Sequence, residues 1–201
     1  PAATPRHYQF KQPFGLPVRY HDIKVFSEVS NLDLVEIHLS YKDLEVDLNQ
    51  VLPNRQSIGL VVHAPELFAG DHTLDLCTED SSYRDHSITE LQRVIDISRD
   101  LRRRFSCPDP VLLVTNVGGF SEHHHLNQSE REPLKDRLIA SLQQLNTAGE
   151  VEIIPQTMPP FPWHFGGQRF HNLFVDTDFI RQFCEAQGMR VCLDVSHSKL
   201  A

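Results

Sequence analysis

Ile58-Gly-Leu-Val-Val-His63 is a continuous apolar run that ends on an imidazole. Its length and β-branched content read as a strand, and its lack of alternation predicts burial on both faces of a parallel sheet. His63 then stands at the strand's C-terminal end, where α/β folds build their sites. Taken alone, such a histidine is as often a hydrogen-bonded core residue as a ligand.

Working outward, further strands are expected at Val18–Asp22, Leu34–Ser40, Val111–Thr115, Val151–Ile154 and Val191–Leu193. Helical patterns fall between them. Ile23–Asn31 is a short helix, and Tyr41–Leu52 has apolar residues near helical spacing before Pro53. Ser87-Ile-Thr-Glu90 reads as a capping box that opens a helix running to about Phe105, with Ile88, Leu91, Val94, Ile95 and Leu101 facing inward. Pro133–Thr147 is stopped by Gly149, and Asp178–Gln187 by Gly188. Strand and helix alternate throughout, which predicts parallel βαβ units. The expected architecture is a (β/α)8 TIM barrel truncated after its sixth strand, in residues 18–201, behind a proline-rich lead-in at 1–17; an open doubly wound sheet is the competitor. A full barrel takes about 250 residues. The natural chain is therefore expected to extend past Ala201 by roughly 60–80 residues.

Loop lengths point to a site. Connections in α/β units usually run about 2–6 residues, yet three strand-to-helix loops here are long: Ala64–His86, Asn116–Glu132 and Pro155–Asp176. All three leave strand C-termini. In the first, Asp75, Glu79, Asp80 and Arg84 are candidate contacts, although most such residues are solvated. The second opens on Asn116-Val-Gly-Gly-Phe120, whose glycine amides could meet an anion, and contains His123-His-His125, which reads as exposed. The third holds four prolines in Pro155–Gln168, with Trp163 beside His164. That stiff aromatic stretch suits stacking on a sugar ring. Candidate substrate contacts are Asn116, Gln156, Trp163, His164 and Arg169.

The last stretch, Cys192-Leu-Asp-Val-Ser-His197, places Asp194 and His197 three residues apart just past a short strand. They could share a metal ion, or Asp194 could simply cap a helix while His197 lies on the surface.

Bulk properties narrow the class. The chain has 201 residues, a net charge of −8, 40% hydrophobic and 23% charged residues. This composition suits one globular domain, and the acidic balance argues against a nucleic-acid partner. Arg102–Arg104 sits at an expected helix end. Four cysteines without a C-x-x-C pair suggest a reducing compartment. No bilayer-length apolar run or signal-peptide pattern is present, so a cytoplasmic location and no membrane partner are expected.

His63-Ala-Pro65, Leu74-Asp-Leu76, Gly118-Gly119 and Cys192–His197 together resemble the xylose-isomerase-like superfamily of sugar phosphate isomerases and epimerases, TIM barrels that also include endonuclease IV. More narrowly, Val35-Glu-Ile-His-Leu-Ser-Tyr-Lys-Asp-Leu44 and Gln156–Gly167 are similar to the C-terminal barrel of multidomain sialic-acid-synthase-type proteins, which make nonulosonic acids for surface polysaccharides. The resemblance implies Asp194 and His197 as metal ligands and His63 at a third-strand histidine position. It also implies a sugar or sugar-phosphate substrate and fusion to further domains. Asn116 and Gln156 stand where members carry a histidine and a glutamate. The implied reaction is metal-assisted proton transfer next to a carbonyl, with His63 or Glu36 as acid or base and a divalent ion (Mn, Zn or Mg) as cofactor. A non-catalytic sugar-binding or scaffolding barrel is the alternative. The oligomeric state stays open, a homo-oligomer included.

Overall fold

A computed structural model describes residues 11–107, 110–160 and 169–200. Five strands form one parallel sheet in chain order: β1 (Gly15–Val18), β2 (Leu34–His38), β3 (Gly59–His63), β4 (Val111–Thr115) and β5 (Val151–Pro155). Every neighbouring pair is parallel, as βαβ connections require. The expected sixth strand is reduced to a bridge between Gln156 and Cys192. There the Cys192 amide donates to Pro155 O (2.8 Å) and the Thr157 amide to Cys192 O (2.9 Å). The result is an α/β partial barrel with its strands in sequential order.

Two strand expectations need correction. The first strand ends at Val18, because the Asp22 carboxylate accepts from the Arg19 amide (3.0 Å) and closes a 3-10 turn at Tyr20–Asp22. β1 thus includes residues 15–17 of the expected lead-in. Nor is β3 buried on both faces. Burial alternates along β2 and β3, with Val35, Ile37, Leu60 and Val62 at most 5% exposed and Glu36, His38, Val61 and His63 half-buried. Val35, Ile37, Leu60 and Val62 share one apolar core with side chains from the helices.

Those helices are α1 (Ile23–Val29), α2 (Leu48–Val51), α3 (Ser81–Arg102), α4 (Gln128–Leu142), α5 (Thr177–Gln187) and α6 (Val195–Leu200). Leu91, Val94, Ile95 and Leu101 of α3 are fully buried and Ile88 nearly so, as their spacing predicts. The helix starts about two turns before the expected box, at Asp80, whose carboxylate accepts from the Tyr83 amide (3.1 Å). Ser87 has another task. Its hydroxyl oxygen accepts from the Asp75 amide (3.1 Å) and meets His72 Nε2 (2.9 Å), fastening the β3–α3 loop to the helix. α4 also starts early, with Asn127 and Glu130 forming its capping box. Gly188 ends α5 in the left-handed region, φ 63°, as expected. At the end of α3, Arg99 and Arg102 pair with Glu150, and Arg104 donates to Leu52 O and Asn49 Oδ1. No helix among the described residues is long and apolar enough to cross a membrane.

Candidate functional site

β2 and β3 run in register, with His38 opposite His63. The period-two geometry of a strand puts Glu36 on the same face as His38. Both strands end here, so these side chains gather at the C-terminal rim of the inner face. The His38 and His63 rings stack with centroids 4.4 Å apart and planes 22° from parallel. His38 Nε2 also donates to Glu36 Oε1. One donor atom from each of Glu36, His38 and His63 can be chosen so that all lie within 4.8 Å of one another, a grouping that could hold a metal ion. Two imidazoles and one carboxylate are donors that divalent transition metals accept.

Gln156 connects this cluster to the C-terminal stretch. His63 Nε2 and Gln156 Oε1 are 2.7 Å apart, and Gln156 Nε2 donates to Asp194 Oδ2 at 3.1 Å. Gln156 Nε2 also lies 3.1 Å from His197 Nδ1. Asp194 does two things at once. Its Oδ1 accepts from the His197 amide (2.9 Å), which is the capping role, while its Oδ2 faces Gln156. His197 is not on the surface: its side chain is 14% exposed, and Nδ1 donates to Thr157 O at 2.9 Å. Thr157 secures the segment, its hydroxyl oxygen accepting from the Asp194 amide at 2.9 Å.

The local field is mixed. The hydrogen bond from His38 holds the Glu36 carboxyl below the usual range; burial opposes this, the charges of His38 and His63 add to it, and Asp194 works against it. Burial, with Glu36 and Asp194 nearby, pushes the Cys192 thiol up to about 11. Cys192 therefore belongs to the same neighbourhood.

Asn116 follows β4 and, by continuation of the Thr115–Pro155 register, stands beside Gln156. It is 3% exposed. Its Oδ1 accepts from the Gly118 amide (2.7 Å), while its Nδ2 is buried with no hydrogen-bond partner among the described residues. The glycine pair does not await an outside anion. Gly119 N donates to Asp75 Oδ1 at 2.9 Å, and a Cβ on Gly118 would sit 2.3 Å from that same oxygen. The Gly119 amide thus meets the protein's own carboxyl group, and the Gly118 amide meets the Asn116 side chain. Asp80 serves as a helix cap, and His123, His124 and His125 are exposed. Arg169 is exposed over the Phe120 ring (5.8 Å), and no described contact joins it to the His63–Gln156 group. Trp163 and His164 lie outside the described residues.

The structure thus brings together Glu36, His63, Gln156, Asp194 and His197, with Asn116 adjacent. Sequence reasoning missed His38. The signal was present in Glu36-x-His38, two polar residues on one face of an otherwise apolar strand.

No family model and no curated protein matches the chain. Among solved structures it is similar to the crystal structure of a D-tagatose 3-epimerase-like protein, with a TM-score of 0.59 and 16% identity. The match covers 93% of this chain and 66% of that one. The likeness is one of fold, and this chain spans about two thirds of that protein's length.

Proposed function

We propose that this partial barrel is a sugar isomerase or epimerase domain that moves a proton at a carbon next to a carbonyl, assisted by a divalent ion. One observation carries the reading: acid, imidazole and amide side chains from β2, β3, β5 and the C-terminal segment converge on one rim of a parallel sheet. The epimerase-like fold of the neighbour supports it. When bound, the ion would polarise substrate oxygens.

The geometry supports exchanging two roles expected from sequence. Glu36 and His63, expected as acid and base, join His38 as the group that holds the ion. Asp194 and His197, expected as ligands, then supply proton transfer from a pair 3.5 Å apart whose imidazole is oriented by Thr157 O. Asn116 offers its unused amide donor to a substrate oxygen, and Arg169, Trp163 and His164 are kept as candidate substrate contacts on the strength of the sequence alone. The narrower reading makes the substrate a precursor of nonulosonic acids and the domain part of a sialic-acid-synthase-type protein. It is supported by the Val35–Leu44 and Gln156–Gly167 stretches alone.

The test follows solvent deuterium into D-tagatose and into a panel of ketoses, aldoses and their phosphates, with the full chain and added divalent ions. Exchange at the carbon beside the carbonyl is expected, reduced at least about 100-fold in His197→Ala. Ion content should survive Asp194→Ala and His197→Ala; its loss in either would reverse the exchange of roles. The neutral amides Gln156 and Asn116 favour a second reading, a barrel that binds sugar without turning it over. Calorimetry that finds chelator-indifferent sugar binding, with no exchange in any substrate, would select it.

A further inference from the structure

The two edges of the sheet are built differently. Along β1, Phe14 O accepts from the Leu34 amide, and the register pairs Gly15 with Leu34. Even-numbered residues therefore bond to β2, while Gly15 and Pro17 face outward. Proline has no N–H, so this edge offers an incoming strand little to bond. At the opposite edge both backbone groups of Cys192 bond toward β5, the amide to Pro155 O and the carbonyl to the Thr157 amide. Alternation turns the amides and carbonyls of Val191 and Leu193 outward, and among the described residues no hydrogen bond meets them. Large apolar side chains gather beside them, with Leu193 66%, Val195 70% and Leu200 45% exposed.

The stretch Arg190-Val-Cys-Leu-Asp194 is complementary to itself in reverse. In an antiparallel pair centred on Cys192, Val191 meets Leu193 of the partner subunit, and their outward amides and carbonyls exchange bonds. Arg190 meets Asp194 of the partner subunit, a cation against a carboxylate. The two copies of Cys192 stand opposite each other on the axis. Such reciprocity is what a two-fold interface requires.

We propose that the Val191–Leu193 edge binds a second copy of this chain, as a two-fold antiparallel strand pair centred on Cys192, with Leu193, Val195 and Leu200 covered in the contact. The pairing brings an arginine of each copy to Asp194 of the other, at the rim described above. A contact this short makes a weak, reversible dimer. It forms whether or not the rim turns over a sugar.

Sedimentation of the full chain across a range of concentrations tests the association, and a monomer–dimer equilibrium is expected. Leu193→Lys adds a charge to a side chain that is already exposed, so circular dichroism should stay unchanged while the dimer weakens at least about tenfold. Arg190→Glu sets like charges opposite each other and should weaken it too. Diamide reads the register: it takes up the two electrons and two protons released when two thiols join as one disulfide. Opposed Cα atoms about 4.5 Å apart lie within the disulfide range of about 4.4–6.8 Å. Alkaline pH is used because the Cys192 thiol is held up to about 11. A covalent dimer is expected, absent in Cys192→Ser and sharply reduced in Leu193→Lys. A chain that stays monomeric at every concentration, growth beyond two copies, a dimer indifferent to Leu193→Lys, or a link through Cys107 or Cys184 instead would each overturn the proposal.

Discussion

The two faces of one sheet follow different rules. On the outer face Val35, Ile37, Leu60, Val62 and Leu113 are at most 5% exposed beneath the helices. On the inner face, one residue along β2 and β3, Glu36, His38, Val61 and His63 are half-buried, as is Leu112 of β4, while Val114 and Ile154 farther along the sheet are buried. The outer face gains stability from apolar area removed from water. The inner face keeps polar groups in partial contact with solvent, where they can stay charged and exchange partners. Stability and chemistry thus share strands without sharing side chains.

Truncating Leu113 to alanine attacks the outer face and should cost about 2–5 kcal/mol, read as a shift in the urea midpoint. His38→Ala, on the inner face, should cost under about 1 kcal/mol in metal-free protein, as half-exposed polar substitutions usually do. A comparable loss in both would break the division. Gly118→Ala comes next. It forces a side chain into φ +81° and against Asp75, so a loss of about 2 kcal/mol or more is expected.

Asp75 sharpens the comparison through pH. Burial holds its carboxyl above the usual range, although amide hydrogen bonds from Gly119, Cys77 and Thr78 pull the other way. Between the ordinary value of 3.8 and the raised one, the native state keeps a proton that the unfolded chain has released. Stability from this group therefore falls as pH rises across that window. Thermal melts of Asp75→Asn should lack that component; an identical pH slope in wild type and variant would remove Asp75 as its source. The smallest effect concerns Cys192. With its thiol at about 11, alkylation near neutral pH should be slow, and Glu36→Gln should speed it modestly by removing a nearby negative charge. No change would separate Cys192 from the Glu36 neighbourhood.

Apolar runs such as Val111–Thr115 located the strands, and α3's buried residues followed their spacing, because both depend on local periodicity. The inner face was harder to read. Val61 is as apolar as Val62, and only the assembled sheet determines which one lacks a covering helix. Helix starts were ambiguous for a related reason. Asp80 and Ser87 are both good caps, and tertiary bonds to His72 and Asp75 claim the serine. Gly118 and Gly119 suggested amides presented to an anion, but the carboxyl group that uses Gly119's amide lies 44 positions earlier in the chain. His63, Asp194 and His197 stood out by their place at strand ends. The bond network through Gln156 depends on amide orientation, which no pattern encodes.

The loops after β4 and β5 are joined at Phe120–Ser121 and Phe170–His171 by an antiparallel ladder. At its edge lies Asn172, fully buried. Its Nδ2 donates to Gly119 O, Ser121 Oγ and Phe170 O, while its Oδ1 accepts from the Leu126 amide. The entropy of ordering these segments has been met in folding, so an arriving ligand does not have to meet it again. Under the proposed function, a sugar that reached these described segments would meet groups already fixed, and discrimination between epimers would come from misfit against them rather than from closure around the preferred one.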